Sequence, residues 1–149
     1  MSKTFEFERA PGHLVRRAHQ LSVAIFAQET ATFDITPVQF SILSALIDEP
    51  GADQVTVARR VAFDAATSGA VIGRLESRGL VLREADPEDR RRKLLWITDE
   101  GRQVLRAMRR PVMRVQDRLL ANLSGSEREQ FMELLTRVIG NDDVVLPEP

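Results

Sequence analysis

Residues 53–97 constrain the fold more than any other segment, because a helical spacing of apolar residues changes there to the spacing of strands. Asp53 and Asp64 each precede a short apolar pattern, and aspartate is a preferred N-cap because its carboxylate accepts hydrogen bonds from free helix N–H groups. The residues predicted to face inward are Val57, Ala58 and Val61 in the first pattern and Val71, Ile72 and Leu75 in the second. Residues 53–78 therefore predict two short helices joined by a tight turn.

A β-hairpin is predicted to follow these helices directly. The segments LVLREA and KLLWI are typical of short strands, and the polar run of residues 86–92 joins them. Gly79 stands before the first strand, where the end of a helix favours a left-handed residue. Two short helices followed by a β-ribbon are the layout of a winged helix-turn-helix, whose second helix enters the major groove of DNA.

Longer helices are predicted on both sides of this unit from start signals and apolar spacing. Their start signals are Pro11, the capping box of Thr36 and Gln39 around Pro37, Thr98, and the capping box of Ser124 and Glu127. The inward face of the second helix is predicted to be Phe40, Leu43, Leu46 and Ile47. The fifth helix is expected to reach about Leu123 and the sixth to end at Gly140, with residues 141–149 forming no regular element.

The element order predicts a mainly α protein with a small β-hairpin (α+β), in a single domain over residues 1–149. A chain of 149 residues can bury roughly two thirds of its unfolded surface. Residues 36–98 are expected to form the winged helix-turn-helix lobe, and residues 11–32 and 99–140 a helical lobe.

Composition excludes several classes of function. The chain has no cysteine, which excludes disulfides, thiolate metal sites and thiol redox sensing, and fits a reducing cytosol. His13 and His19 lack the spacing that suits chelation on a helix, so neither a metal nor another cofactor is expected. No apolar run approaches the roughly 20 residues of a membrane span, and MSKTFEFERAPG lacks the apolar core of a signal peptide. A cytoplasmic protein is expected.

The charge is distributed unevenly along the chain. The net charge is only −1, but residues 54–98 hold 9 basic and 6 acidic residues, a net of +3. The segments before and after them carry −3 and −1. The positive charge therefore falls on the helix-turn-helix and hairpin, as a phosphate-binding surface requires.

The tip of the hairpin carries Arg90, Arg91, Arg92 and Lys93 in succession. A solvated turn is one interpretation of such a run. The other is that one guanidinium enters the negative minor groove of DNA while its neighbours bind phosphate, and the position on a wing favours this second interpretation. Asp89 is expected to orient the arginine two residues along the chain.

The second short helix begins with small residues that would let its backbone approach base edges. These candidate contacts are Ala66, Thr67, Ser68 and Gly69, although an ordinary capped first turn would look the same. Arg74, on the outer face, is predicted to reach a phosphate or a guanine. Gln54 and Thr56 at the start of the preceding helix are further candidate phosphate ligands.

Over residues 35–106 the chain resembles the MarR family of bacterial transcription factors, the multiple antibiotic resistance regulators. The segments that carry the resemblance are ITPVQFSILSAL, VTVARRV and TSGAVIGRLESRGLVLREADPEDRRRKLLWITDEGRQVL. They include the wing signature of the family, D-x-R followed by a strand and then L/I-T-x-x-G, as Asp89, Arg91, Ile97, Thr98 and Gly101.

The resemblance implies a homodimer that binds a pseudopalindromic double-stranded DNA operator. The helical lobe of residues 11–32 and 99–140 would be the dimerisation lobe, and its long apolar seams agree with a two-fold partner. The two recognition helices would then read half-sites about one helical turn apart. The resemblance assigns the minor-groove arginine to Arg90 or Arg91, and we favour Arg90.

Family members commonly release DNA when a small anionic aromatic compound binds between the two lobes. His13, Arg16, Arg17 and Gln20 share one stripe of the first helix, where arginine could bind a carboxylate and histidine or glutamine a phenolic hydroxyl. Pro37 and Phe40 could supply an apolar wall. Equally, the arginines of this stripe could pair with acidic residues across a dimer.

Two other functions remain open from the sequence. A winged helix can be a protein-docking module with no sequence-specific DNA binding, and a DNA-binding regulator can lack any small-molecule effector. An enzyme is not expected, because the chain has no G-x-S-x-G, P-loop or H-E-x-x-H motif and no cysteine nucleophile.

Overall fold

The computed structural model describes residues 5–140 as six α-helices and one antiparallel hairpin. In chain order the elements are a 3-10 turn (Phe7–Arg9), α1 (Pro11–Glu29), α2 (Pro37–Asp48), α3 (Gln54–Arg60), α4 (Ala65–Ser77), β1 (Val81–Ala85), β2 (Lys93–Ile97), α5 (Asp99–Leu119) and α6 (Gly125–Ile139). This order confirms the predicted mainly α class with a small hairpin. The 3-10 turn has no counterpart among the predicted elements, and the predicted irregular segment 141–149 lies outside the described residues.

Side-chain caps begin five of the described helices at the predicted residues. The N-caps are Thr36, Asp53, Asp64, Thr98 and Ser124, each accepting a hydrogen bond from a backbone N–H of the first turn. Both predicted capping boxes are formed, in α2 and α6. The fifth helix is shorter than predicted. It ends at Leu119, and the residues up to Leu123 form the turn in which Leu123 N–H donates to the Leu120 carbonyl at 3.0 Å.

The core lies where α2, α4 and α5 meet the hairpin. Its fully buried apolar side chains are Ile42, Leu43 and Leu46 of α2, Ile72 and Leu75 of α4, Leu95 of β2 and Met108 of α5. Burying each large aliphatic side chain of this kind contributes about 1.5–3 kcal/mol, so this junction holds the lobes together.

The inward face of α2 differs from the predicted one at two positions. Ile47 was expected inside but is 39% exposed, whereas Ile42 is completely buried. The helix contacts α3, α4, β2 and α5, so its buried face is wider than a single stripe and is rotated away from Ile47. Phe40 is half-buried, with its ring edge against Phe26 of α1 at a centroid distance of 6.1 Å.

The hairpin also pairs with a short stretch of chain outside its two strands. β1 and β2 pair from Val81 opposite Ile97 to Ala85 opposite Lys93. The backbone of residues 51–53, just before α3, pairs with the other edge of β2, where Leu95 exchanges hydrogen bonds with Gly51 and Ala52 at 2.8 and 3.0 Å. The base of the wing is thereby joined to the start of the helix-turn-helix.

The terminal helices leave most of their apolar side chains exposed in a single chain. α1 buries only Ile25 and Phe26, while Leu14, Val15 and Leu21 are each more than half exposed. α6 buries no residue at all. None of the helices in residues 5–140 is both long enough and apolar enough to span a bilayer.

Candidate nucleic-acid interface and ligand cavity

Each helix of the helix-turn-helix begins at an aspartate N-cap, Asp53 for α3 and Asp64 for α4. Asp53 Oδ1 accepts from Thr56 N–H at 2.9 Å, and Asp64 Oδ1 accepts from Thr67 N–H at 2.8 Å. These backbone hydrogen bonds are the main cause that holds the pKa of each carboxyl below its ordinary value. Both caps are therefore anionic at neutral pH.

The small residues of α4 divide into exposed and buried positions. Ala66 and Thr67 are exposed, as a DNA contact requires. Ser68 is completely buried and its Oγ makes no hydrogen bond within residues 5–140, so its prediction as a DNA contact is wrong. Gly69 is half-buried, and a Cβ there would lie 3.0 Å from Gln54 Nε2, the flexible end of a side chain on α3.

The candidates on α3 are partly engaged by neighbouring side chains. Thr56 Oγ1 donates to Asp53 Oδ2 at 3.0 Å, and Gln54 Oε1 accepts from Arg83 at 3.4 Å. Arg83 also forms an ion pair with Glu76 of α4 at 3.0 Å, which ties β1 to both helices. Arg74 is exposed and takes part in no ion pair among the described residues.

The wing-tip arginines have three different environments. Arg91 donates to both Asp89 oxygens, at 3.0 and 3.1 Å, which confirms the predicted role of Asp89 and lowers the pKa of its carboxyl. Arg92 contacts Asp53 and Asp86, each at 3.1 Å. Arg90 is exposed and has no ion pair within residues 5–140. It is the wing-tip guanidinium available to DNA without breaking an existing contact.

An open cleft between α2 and α5, called the cavity below, has a volume of about 480 Å³. Its lining residues are Phe40, Ser44, Ile47, Asp48, Arg102, Leu105, Arg106, Arg109, Val112 and Met113. The three α5 arginines of this lining, Arg102, Arg106 and Arg109, lie along one face of the helix, and none of the three is in an ion pair within the described residues. Asp48 is engaged by Arg60. The lining therefore joins an apolar wall to a row of cations.

Of the predicted ligand residues, only Phe40 lines this cavity. Pro37 is half-buried at the start of α2, and Arg17 and Gln20 are exposed on α1. His13 and Arg16 do come together, with His13 Nδ1 3.4 Å from an Arg16 guanidinium nitrogen. Sequence reasoning missed Arg102, Arg106 and Arg109, although their spacing of four and three beside Leu105 and Val112 was a usable signal.

An ion-pair cluster holds the end of α1 against α5. Glu29 accepts from Arg114 at 2.7 Å and from Arg118 at 2.8 Å, and these hydrogen bonds lower the pKa of its carboxyl. The same Arg118 donates to Gln28 at 2.9 Å. These contacts fix this half of α1 to α5, while the half that carries the His13 stripe is mostly exposed.

The fold and this surface define a class: a winged helix-turn-helix DNA-binding protein with an attached helical lobe. The basic winged-helix unit from α2 to β2 is called the reading head below. A model of the MarR family matches residues 33–92. The transcriptional regulator HosA of Escherichia coli O111:H- is 37% identical over 126 residues, which cover 81% of this chain and 93% of HosA. The chain belongs to the MarR family of transcriptional regulators.

Solved structures of two regulators are similar over nearly the whole chain. One describes the regulation of DNA binding of Bordetella bronchiseptica BpsR by 6-hydroxynicotinic acid, with a TM-score of 0.87, 35% identity and coverage of 95% of this chain and 100% of that one. The other is Streptomyces coelicolor PcaV with its natural ligand, with a TM-score of 0.83, 36% identity and coverage of 95% and 99%.

Proposed function

We propose that this chain is a homodimeric repressor, acting in the cytoplasm, that binds a pseudopalindromic operator and releases it when a small aromatic anion binds. The observation that carries the proposal is the cavity between α2 of the reading head and α5 of the helical lobe, with its row of arginines. A ligand in this position contacts both lobes at once, so its binding can favour one relative placement of the reading heads.

The lining indicates the chemistry of the ligand. Phe40, Leu105 and Val112 provide an apolar surface for a ring, and the arginines provide bidentate donors for a carboxylate. A volume of about 480 Å³ is within the usual range of small-molecule sites. The 6-hydroxynicotinic acid of BpsR is a compound of this class, which supports the proposal by similarity.

Release would follow from a difference in affinity between two states of the dimer. Two recognition helices can bind half-sites in successive turns of the major groove only when they are about 34 Å apart. A ligand that prefers another separation shifts the population away from the DNA-binding state, by no more than its difference in affinity for the two states.

The terminal helices support the homodimer. The apolar stripe of α6, which comprises Phe131, Leu134, Leu135 and Val138, is mostly exposed, and so is the first half of α1. We propose that residues 11–32 and 99–140 bury these faces against a second copy. The His13 stripe on α1, outside the cavity of its own chain, would then approach a ligand from the partner.

Replacing Leu134 by glutamate is expected to convert the dimer to monomers, because it places a charge in the apolar stripe of α6. The loss of the dimer should also weaken operator binding by at least about 100-fold, since one reading head then binds alone. Sedimentation velocity and fluorescence anisotropy measure the two effects. Thr136→Glu is the matched control, with the same charge on the opposite face of α6. A dimeric Leu134→Glu variant would contradict this interface.

Replacing Arg106 by glutamine is expected to raise the concentration of aromatic acid needed for DNA release by about tenfold or more, because a charge-assisted contact is lost. Affinity for DNA without ligand should stay within about twofold. The measurement is displacement of labelled operator by a panel of hydroxybenzoates, cinnamates and their thioesters. Arg110→Gln, one turn further along α5 and outside the lining, is the control.

The same displacement assay on Arg17→Ala tests the contribution of the α1 stripe. We expect loss of release, while operator binding should be retained as in Arg106→Gln. An unchanged response in single variants of His13, Arg16 and Arg17 would contradict the stripe. A wild-type protein that binds operator and responds to no compound of the panel would contradict the proposed aromatic effector.

A further inference from the structure

Arg92 joins two carboxylates that belong to different parts of the reading head. Its guanidinium lies 3.1 Å from Asp53, the N-cap of α3, and 3.1 Å from Asp86, which follows β1. The Asp53 and Asp86 side chains are only 20% and 11% exposed. Asp86 is also held by its own backbone, since its N–H donates to the Arg92 carbonyl at 3.0 Å.

The contacts of Arg92 are unlike those of its neighbours. Arg91 pairs only with Asp89, two residues away within the tip. Arg92 instead reaches across 39 residues of sequence to Asp53. The base of the wing is already joined to the α3 entry by backbone hydrogen bonds from Leu95. What Arg92 adds is therefore a link between the tip of the wing and α3.

Arg92 also offsets the negative charge of Asp53. Asp53 is at the start of the helix-turn-helix and accepts a hydrogen bond from the Thr56 backbone. It is a carboxylate in a lobe that must approach phosphates, which repel it. Arg92 is the cation in contact with it among the described residues. Without Arg92, Asp53 and Asp86 would each lack an ion-pair partner among the described residues.

We infer that Arg92 is a positioning residue rather than a DNA contact: it fixes the wing tip against the start of α3 and screens Asp53 from the phosphates. It differs from the prediction that Arg92 contacts DNA together with Arg90 and Arg91. The inference rests on DNA binding by the family and does not involve the effector.

The test is a double-variant cycle between Arg92 and Asp53 in the full chain. The probe is a 30-base-pair duplex selected from a random pool by the wild-type protein, and binding is measured by anisotropy without effector. An exposed ion pair contributes a factor of about five at most, and the factors of the two wings multiply, so Arg92→Ala should weaken binding by about 5- to 25-fold. Asp53→Asn, which keeps a good N-cap, removes the link and the repelling charge together, so these opposing effects should leave binding within about threefold of wild type.

The double variant separates positioning from contact. If Arg92 screens Asp53, then adding Asp53→Asn should restore Arg92→Ala to within about threefold of Asp53→Asn alone. The slope of log K against log salt should stay unchanged in Arg92→Ala. In Arg90→Ala, the contact control, Asp53→Asn should restore nothing and the slope should become shallower by about 2, because one DNA-bound cation is lost from each wing.

The opposite pattern would overturn the inference. If Arg92→Ala weakens DNA binding as much in the Asp53→Asn background as in the wild type, and the salt slope becomes shallower, then Arg92 is a phosphate ligand. Arg92→Gln, which keeps a hydrogen-bonding side chain but no charge, repeats the cycle in case Arg92→Ala fails to fold. Thermal unfolding within a few degrees of wild type establishes that each variant tested is folded.

Discussion

Replacing Gly101 by alanine is expected to destabilise the protein by about 3 kcal/mol, the upper part of the range for overpacking. Gly101 is buried in the first turn of α5. A Cβ there would overlap the Leu80 carbonyl oxygen and lie 2.7 Å from Ile97 Cγ1, far inside the roughly 3.5–4.0 Å at which carbon atoms attract. The Leu80 oxygen is backbone that accepts a hydrogen bond from Thr98 N–H at 3.1 Å, so it cannot move aside without breaking the start of α5.

Urea unfolding of Gly101→Ala beside Gly73→Ala tests this steric argument. Alanine is favoured over glycine by up to about 1 kcal/mol inside a helix, so without the overlap both variants would be stabilised. In α4 a Cβ on Gly73 would meet only the end of the Arg83 side chain, at 3.9 Å. We expect Gly73→Ala to be neutral or stabilising and Gly101→Ala to be strongly destabilising. Equal behaviour of the two variants would contradict the packing at Gly101.

Replacing Arg90 by alanine is expected to weaken operator binding by about 100-fold while the dimer stays intact. A specific groove contact contributes about 1–3 kcal/mol, and each dimer presents the residue twice. Arg90 is exposed and without an ion pair in residues 5–140, so its loss leaves no buried carboxylate behind. The double variant Arg90→Ala, Arg91→Ala should bind more weakly still.

The comparison with Arg91→Ala distinguishes the two candidates for the minor groove. Arg91 must share its guanidinium with Asp89, so we expect a smaller loss from Arg91→Ala than from Arg90→Ala. Arg137→Ala, an exposed arginine of α6 far from the wing in sequence, is the control for net charge. A larger loss in Arg91→Ala would reassign the minor-groove contact to Arg91. An unaltered affinity in both variants would contradict the wing interface.

Local signals predicted the fold well because they depend on neighbours in sequence. Thr36, Asp53 and Ser124 bond to N–H groups three residues away, so their effect can be read without knowing the tertiary structure. The hairpin is equally local. The position of Ile47 could not be predicted in this way, because the buried face of α2 depends on which helices pack on each side of it.

The candidate site was less predictable because its contacts are distant in sequence. The burial of Ser68 depends on how α4 packs within its lobe, and the pairing of Arg92 depends on the approach of the wing to Asp53. The cavity arginines face α2, more than 50 residues earlier in the chain. Residue type and spacing identified the right elements, but which side chains remained available was decided by tertiary contacts.

The most direct test of the account is the salt dependence of binding to the selected 30-base-pair duplex. Arg59, Arg74, Arg90 and Lys93 are exposed cations of the reading head without ion pairs in the described part of the chain. If between half and all of them contact phosphate in both protomers, log K should fall with log salt at a slope between about −4 and −7. A slope shallower than about −1, or selection of no duplex from the pool, would contradict DNA recognition and favour a protein-docking module.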